Sequence, residues 1–397
     1  MRDAFLLDPD TVFLNHGSFG ACPAEVFAVY QGWQREMERN PVAFLGRRSG
    51  ALLVQARAVW AQALGARADD LAFVSNATTG VNIVAQSLPL QPGDEVLATD
   101  HEYGACDAAW QHICAQRGAH YRRVAIPLPF CAEEFVPRLM AAVTPRTRMV
   151  FASHITSTTA LVFPVQALCR AARECGLLTL IDSAHAPGQV PLDLSHGPLG
   201  MGADFCTGNA HKWLCAPKGA AFLHVRPEHH RWLQPSVISW GHVAGADGAA
   251  ADEAPSALDA FTGRSALQRR LQWKGTQDLA ACLSVPAALD FQARHDWPAQ
   301  RARCHDMAVA TMHRVLARNG LPPIARDADF AQMAPIPVRL PPGMAAEELR
   351  RRLFDDFRIE VPVTQHARQT FVRVSVQAYN TDADLDALVS ALAALDV

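Results

Sequence analysis

No Cys-x-x-Cys pair occurs anywhere in the chain. The ten cysteines stand singly, at positions 22, 106, 114, 131, 169, 175, 206, 215, 282 and 304, so a zinc or iron–sulfur site of the usual spacing has no support. With no secretion signal they read as small buried hydrophobes. None of the sixteen histidines forms a His-x-x-x-His or His-Glu-x-x-His motif, and no metal is expected. No apolar run reaches the roughly 18 residues of a membrane span. The opening residues, Met1 to Asp8, lack the apolar core of a signal peptide. The net charge of −3 comes without a basic tail or a block of like charges, which argues against nucleic acid or an anionic membrane as partner. A cytoplasmic protein handling a small molecule is the expectation.

What is present is a globular composition. Half of the 397 residues are hydrophobic and a fifth are charged, which excludes wholesale disorder. The length exceeds what one small core organises, and two domains in contact are expected. Residues 12–23 read as a short strand entering a Gly-rich turn, followed by amphipathic helices over 24–37 and 47–64. From residue 71 strands and helices alternate. Strands are expected at 71–74, 95–99, 121–126, 149–153, 177–182, 203–205 and 220–225, with helices at 103–118, 131–143 and 165–175 between them. This alternation predicts an α/β fold with a mainly parallel sheet covered on both faces. Residues 235–265, rich in Ala, Gly, Ser and Asp, read as a long surface loop. Beyond a helix over 279–295, the order helix–strand–helix–strand–helix suggests a separate α+β layer ending in helix 382–395.

In a parallel sheet, ligands bind at the carboxyl ends of the strands, and several chemically distinctive residues fall there. Lys212 follows the turn Thr207-Gly208-Asn209 and precedes Trp213-Leu214. A lone lysine is usually a surface residue, but one enclosed by His, Trp and Leu loses part of its preference for the charged form and can act as an amine nucleophile. Asp182 closes the apolar run Leu177–Ile181, where a carboxylate is costly unless paired, and His185 follows three residues later. At Ser75 to Gly80 a strand passes into a helix through small polar residues. Free N–H groups and the dipole at such a helix start favour an anion, with the Thr78 and Thr79 hydroxyls as further donors; a plain N-cap is the alternative. It is neither a Walker A loop nor a dinucleotide fingerprint. Trp273-Lys-Gly-Thr-Gln-Asp278 is a second Gly-Thr turn of this type. Arg373, in the apolar strand Phe371–Val376, must face either solvent or a carboxylate.

Together these segments resemble the fold-type I, pyridoxal-phosphate-dependent enzymes of aminotransferase class V, and within them the isopenicillin N epimerase-like group. The marks are Phe13-Leu-Asn-His-Gly-Ser-Phe-Gly20, His101-Glu-Tyr-Gly104, Ser153-His-Ile-Thr-Ser157, Asp182-Ser-Ala-His185 and Asn209-Ala-His-Lys-Trp213. The resemblance implies a large domain over 23–280 with a seven-stranded sheet, a small α+β domain over 281–397, and an N-terminal segment 1–22 that joins the latter. It implies pyridoxal 5'-phosphate held by Lys212 as a Schiff base, Asp182 on the pyridine nitrogen, His185 near the phenolic oxygen and Tyr103 over the ring face. Ala77, Thr78, Asn209 and His211 would hold the phosphate. Ser157 stands where related desulfurases carry an Asn. Thr276 would reach the phosphate of a neighbouring subunit in a homodimer with shared sites. Arg373 would clamp the α-carboxylate of an amino-acid substrate, with Asn15 and His16 lining the same pocket.

The resemblance leaves the reaction open. Epimerisation, transamination and β-elimination share their first steps, and epimerisation also needs a base on the second face, for which Tyr103 and His16 are candidates. Persulfide transfer needs a mobile cysteine ahead of Arg373, and residues 355–372 contain none; a persulfide-type cysteine desulfurase is therefore disfavoured.

Overall fold

The computed structural model describes all residues except 196, 198, 243–258 and 263–264. Most of the long loop expected over 235–265 lies outside the described residues; within it, Asp259–Thr262 is a short helix.

The centre is a seven-stranded sheet. Its strands are β2 (Leu71–Val74), β3 (Glu95–Thr99), β4 (His120–Val124), β5 (Thr147–Ser153), β6 (Leu178–Asp182), β7 (Phe205–Asn209) and β8 (Ala221–Val225), in spatial order β2-β8-β7-β6-β5-β3-β4. All neighbouring pairs are parallel except the two made by β8. The sheet separates two cores. Val96, Ala98, Met149, Phe151, Leu180 and Phe205 belong to one, and Leu97, Val150, Ala152, Ile181 and Cys206 to the other. Alternate side chains of a strand point to opposite faces, so runs such as Leu180-Ile181 are apolar throughout because both faces are covered by helices.

β7 departs from the sequence expectation. Thr207-Gly208-Asn209 was expected to turn but continues the strand, with every residue buried. Its polar groups are satisfied inside the sheet: Thr207 Oγ1 donates to the carbonyl of Phe222 at 2.8 Å, and Asn209 Oδ1 accepts the Ala77 N–H at 2.8 Å. Burial of hydrogen-bonded polar groups is tolerated, and local turn propensity loses to sheet pairing here.

The C-terminal part carries β9 (Met333–Val338), β11 (Val363–His366) and β12 (Gln369–Ser375) in the antiparallel order β11-β12-β9. The long helix Trp297–Asn319 packs against β9. Two strands were missed in the sequence, β10 (Ile359–Glu360) and β11, because they are short and Pro362 interrupts the pattern. The N-terminal β1 (Val12–Phe13) pairs with β10, and Asn15 bridges to Ser375. The start of the chain thus adds to the C-terminal layer. Among the described residues no helix is long and apolar enough to cross a membrane.

Candidate active site

The ends of β2, β5, β6 and β7 converge on one cavity of about 370 Å³, lined among others by Thr78, Tyr103, Ser157, Asp182, His185, His211 and Lys212. Four loops separated by up to 130 residues in the chain meet here because the parallel strands present their carboxyl ends on one side.

Lys212 lies at the cavity wall with Nζ 3.1 Å from His185 Nε2. Burial lowers its pKa to about 8, and the Arg373 guanidinium adds to the effect. Its share of free amine near neutral pH is thus far larger than that of an ordinary lysine, though the ammonium form still prevails. Asp182 is 4% exposed. Its carboxylate accepts the Ala184 N–H at 2.9 Å and faces the Cys106 thiol at 3.5 Å. Burial raises its pKa, which is the signature of a carboxylate short of a cationic partner. His185, also buried, is pushed well below the ordinary imidazole range, first by burial and then by Lys212 and Arg373.

At the other end of the cavity the helix Ala77–Ser87 begins, capped by Asn76. Asn76 Oδ1 accepts the N–H of Thr79 at 2.8 Å and its hydroxyl at 3.0 Å, and Asn209 takes that of Ala77. Of the first three amides, that leaves Thr78's, and Thr78 lines the cavity. Nδ1 of His211 is buried without a partner, and burial lowers that imidazole to about 4. Gly80 lets the helix approach β7: a Cβ there would meet the Thr207 side chain.

Arg373 is 4% exposed. Nη1 donates to the Ser157 carbonyl, Nη2 lies 3.4 Å from Ser18 Oγ, and Nε has no partner. Among the described residues no carboxylate pairs with it, and burial alone lowers its pKa to about 10. A buried guanidinium without a counter-charge is expensive.

Five expected residues do not line the cavity: Arg373, which touches its wall only through Ser157 and Ser18, and four others. Asn15 gives Nδ2 to Glu360 at 3.2 Å and accepts from Ser18. His16 is fully buried behind the lysine loop, with Nε2 3.0 Å from the Lys212 carbonyl and Nδ1 3.1 Å from the Tyr379 hydroxyl. Burial holds it near 3, and with both ring nitrogens engaged it has no capacity as a base. The Thr79 hydroxyl is taken up by Asn76 and Ser75. Thr276 sits exposed on its turn. Conversely, Phe19, Ile155 and Lys218 line the cavity and went unnoticed in the sequence. One compositional signal was available: of 36 basic residues only three, Lys212, Lys218 and Lys274, are lysines, and two of these line the cavity.

The donor set suits a planar ligand with a phosphate at one end and a basic ring nitrogen at the other. His211 and the helix start at Ala77 and Thr78 line the end suited to an anion, and the Asp182 carboxylate, raised by burial, suits a cationic N–H.

Comparison with known proteins agrees. The profile described as Aminotransferase class-V matches residues 21–388. Isopenicillin N epimerase of Streptomyces clavuligerus is 38% identical over 99% of this chain and 97% of its own length. A probable chloroplastic L-cysteine desulfhydrase of Arabidopsis thaliana is 28% identical over 97% of this chain and 83% of its own. Among solved structures, the cystine C-S lyase C-DES in complex with cysteine persulfide superposes with a TM-score of 0.81 at 21% identity, covering 98% of both chains; that likeness concerns the fold.

Proposed function

The chain belongs to the class V aminotransferase family of pyridoxal-phosphate-dependent enzymes, and from that premise we propose that it epimerises an amino acid at Cα. One observation supports the reading: Arg373, a buried guanidinium with no carboxylate partner among the described residues, bonds Ser157 and Ser18 in the wall of the cavity that Lys212 also lines. An α-amino acid brings the carboxylate that Arg373 lacks, and a planar guanidinium holds it in a fixed pose.

Lys212 holds the cofactor through Nζ, Asp182 pairs with its ring nitrogen, and Ala77, Thr78, Asn209 and His211 form the phosphate end. Tyr103 would cover the ring face, and His185 and Ser157, whose carbonyl accepts from Arg373, would lie near the phenolic oxygen. The bound cofactor supplies an electron sink for charge developing at Cα. The protein supplies orientation, a base and partial exclusion of water. Lys212 removes the Cα proton on one face. For its return on the other face His16 is eliminated, and Tyr103, a phenol in the cavity wall, is the remaining candidate.

The reading includes a homodimer in which Thr276 of a second copy would complete the phosphate end; its exposure on a turn that does not line its own cavity supports that placement. It also includes a division at residues 22 and 280, supported by the pairing of β1 with β10. A cysteine desulfurase of the persulfide type is not proposed, since β10, β11 and the hairpin leading to Arg373 carry no cysteine.

The test is stereochemical. Pure L- and D-forms of a substrate should converge on one mixture of the two. Release of pyruvate and ammonia would make the enzyme a lyase, and formation of an oxo acid a transaminase.

A further inference from the structure

Trp213 adjoins the active lysine and is fully buried. Its indole Nε1 lies 3.2 Å from Nδ1 of His185. An indole nitrogen only donates, so Nδ1 of His185 accepts and carries no proton. The imidazolium form is excluded by the same contact, because it would set two N–H groups against each other. A neutral ring with a bare Nδ1 has its proton on Nε2, and that nitrogen is the one 3.1 Å from Lys212 Nζ. Nε2–H is therefore the donor and Nζ the acceptor. An ammonium group has three N–H donors and no lone pair; only the free amine closes this hydrogen bond.

We propose that Trp213 is a positioning residue that fixes His185 as the Nε2–H tautomer and thereby holds Lys212 as the free amine, the form that captures an aldehyde. This rests on the reading of Lys212 as the cofactor-binding lysine. Trp213 does not line the cavity; it acts through His185.

The surroundings are consistent. Arg373, His211 and His16 face His185 besides Lys212, and each disfavours a second positive charge. Asp182 and Cys106 favour the lysine cation, while burial and Arg373 oppose it more strongly. The indole is held rigidly. Its ring packs on His16 at 4.9 Å between centroids, and its carbonyl accepts from Gln292 at 2.8 Å.

The chain contains a second tryptophan-to-histidine contact that serves as an internal reference. Trp232 Nε1 donates to His229 Nδ1 at 3.3 Å, and His229 Nε2 lies 3.2 Å from Asp204 Oδ1. The tautomer is the same, but Nε2–H meets a carboxylate, which accepts without any change in its own protonation. At His185 the group it meets is an amine, so the same lock selects a protonation state.

The test reads the ring nitrogens directly. In full-length protein labelled with ¹⁵N-histidine, with His185→Gln identifying the signal, His185 should show one bare and one protonated nitrogen, unchanged from pH 6 to 9. A protonated Nδ1, or an imidazolium, overturns the proposal without any need for a Trp213 variant. In Trp213→Phe the nitrogens should move toward a mixture of tautomers. The pH midpoint for capture of pyridoxal phosphate by the cofactor-stripped chain should rise by about one unit, a tenfold smaller share of free amine. An unchanged midpoint in folded Trp213→Phe also overturns it. If Lys212→Ala captures the cofactor as wild type does while His185 keeps its bare Nδ1, the assignment of Lys212 falls and the tautomer lock stands.

Discussion

The imidazole of His16 bonds the backbone of Lys212 and does not reach the cavity: Nε2 lies 3.0 Å from the carbonyl oxygen of Lys212, and Nδ1 lies 3.1 Å from the hydroxyl of Tyr379. A carbonyl only accepts, so Nε2 donates and Nδ1 takes the phenol proton. The ring thus ties the N-terminal segment and Tyr379, near the start of the last helix, to the loop that carries Lys212. Gly20 brings the same segment close, since a Cβ there would run into the His211 carbonyl.

Replacing His16 by Phe should therefore act on stability before it acts on substrate. Two buried groups lose their partners, at about 1–3 kcal/mol each. Calorimetry should record a melting point lower by several degrees, while KM stays within about twofold. A large rise in KM without loss of stability would return His16 to the substrate pocket.

Arg373 should behave in the opposite way. In Arg373→Met the charged contacts to the substrate carboxylate vanish, and KM should rise about tenfold to a hundredfold. The substrate-free protein should not melt earlier, because removing a buried unpaired charge relieves a cost. Steady-state rates and a melting curve check both halves; an unchanged KM would exclude the residue from substrate binding.

For Asp182→Asn the bound cofactor should remain and turnover should fall by about 100-fold or more, the scale on which losing one preorganised electrostatic partner costs catalysis. The absorbance of the bound cofactor and the rate are measured on the same sample. Undiminished turnover would remove Asp182 from the electron-sink role.

Glu102 predicts a pH dependence. It is buried between Thr99 and Ser153, whose hydroxyls lie 2.6 Å from its two oxygens. Burial, with Asp182 adding to it, raises its carboxyl to about 8. The folded chain holds a proton that the unfolded chain releases in the ordinary carboxylate range. That contribution is complete below the unfolded pKa and is lost as pH rises toward 8. Glu102→Gln lacks this slope. Relative to wild type it should gain stability between pH 5 and pH 8, by an amount on the order of a few kcal/mol. Denaturant titrations of the cofactor-free protein at both pH values decide it, and a parallel pH course would show that Glu102 is ionised in the fold.

Much of this was legible in the sequence, and what was missed has physical reasons. The sheet was readable because strands buried on both faces are largely apolar, as in Met149–Ala152 of β5, and Asp182 drew notice by ending such a run in β6. Lys212, Asp182 and Thr78 were placed at strand ends, where the cavity lies. β7 was cut short because Thr207 and Asn209 look like turn residues until their partners across the sheet are known. His16 was assigned to the substrate because its motif shows that it is near the site, but not which way it points. Trp213 looked like packing beside Lys212; its indole proton acquires meaning only through a ring 28 residues earlier in the chain.

The central claim, epimerisation through proton transfer at Cα that depends on Lys212, is tested most directly by incubating L-amino acids and cysteine conjugates with the enzyme in D₂O and examining Cα. The account predicts deuterium at Cα together with inverted configuration, both abolished in Lys212→Ala. Deuterium with full retention, or pyruvate and ammonia in place of the recovered amino acid, would contradict it.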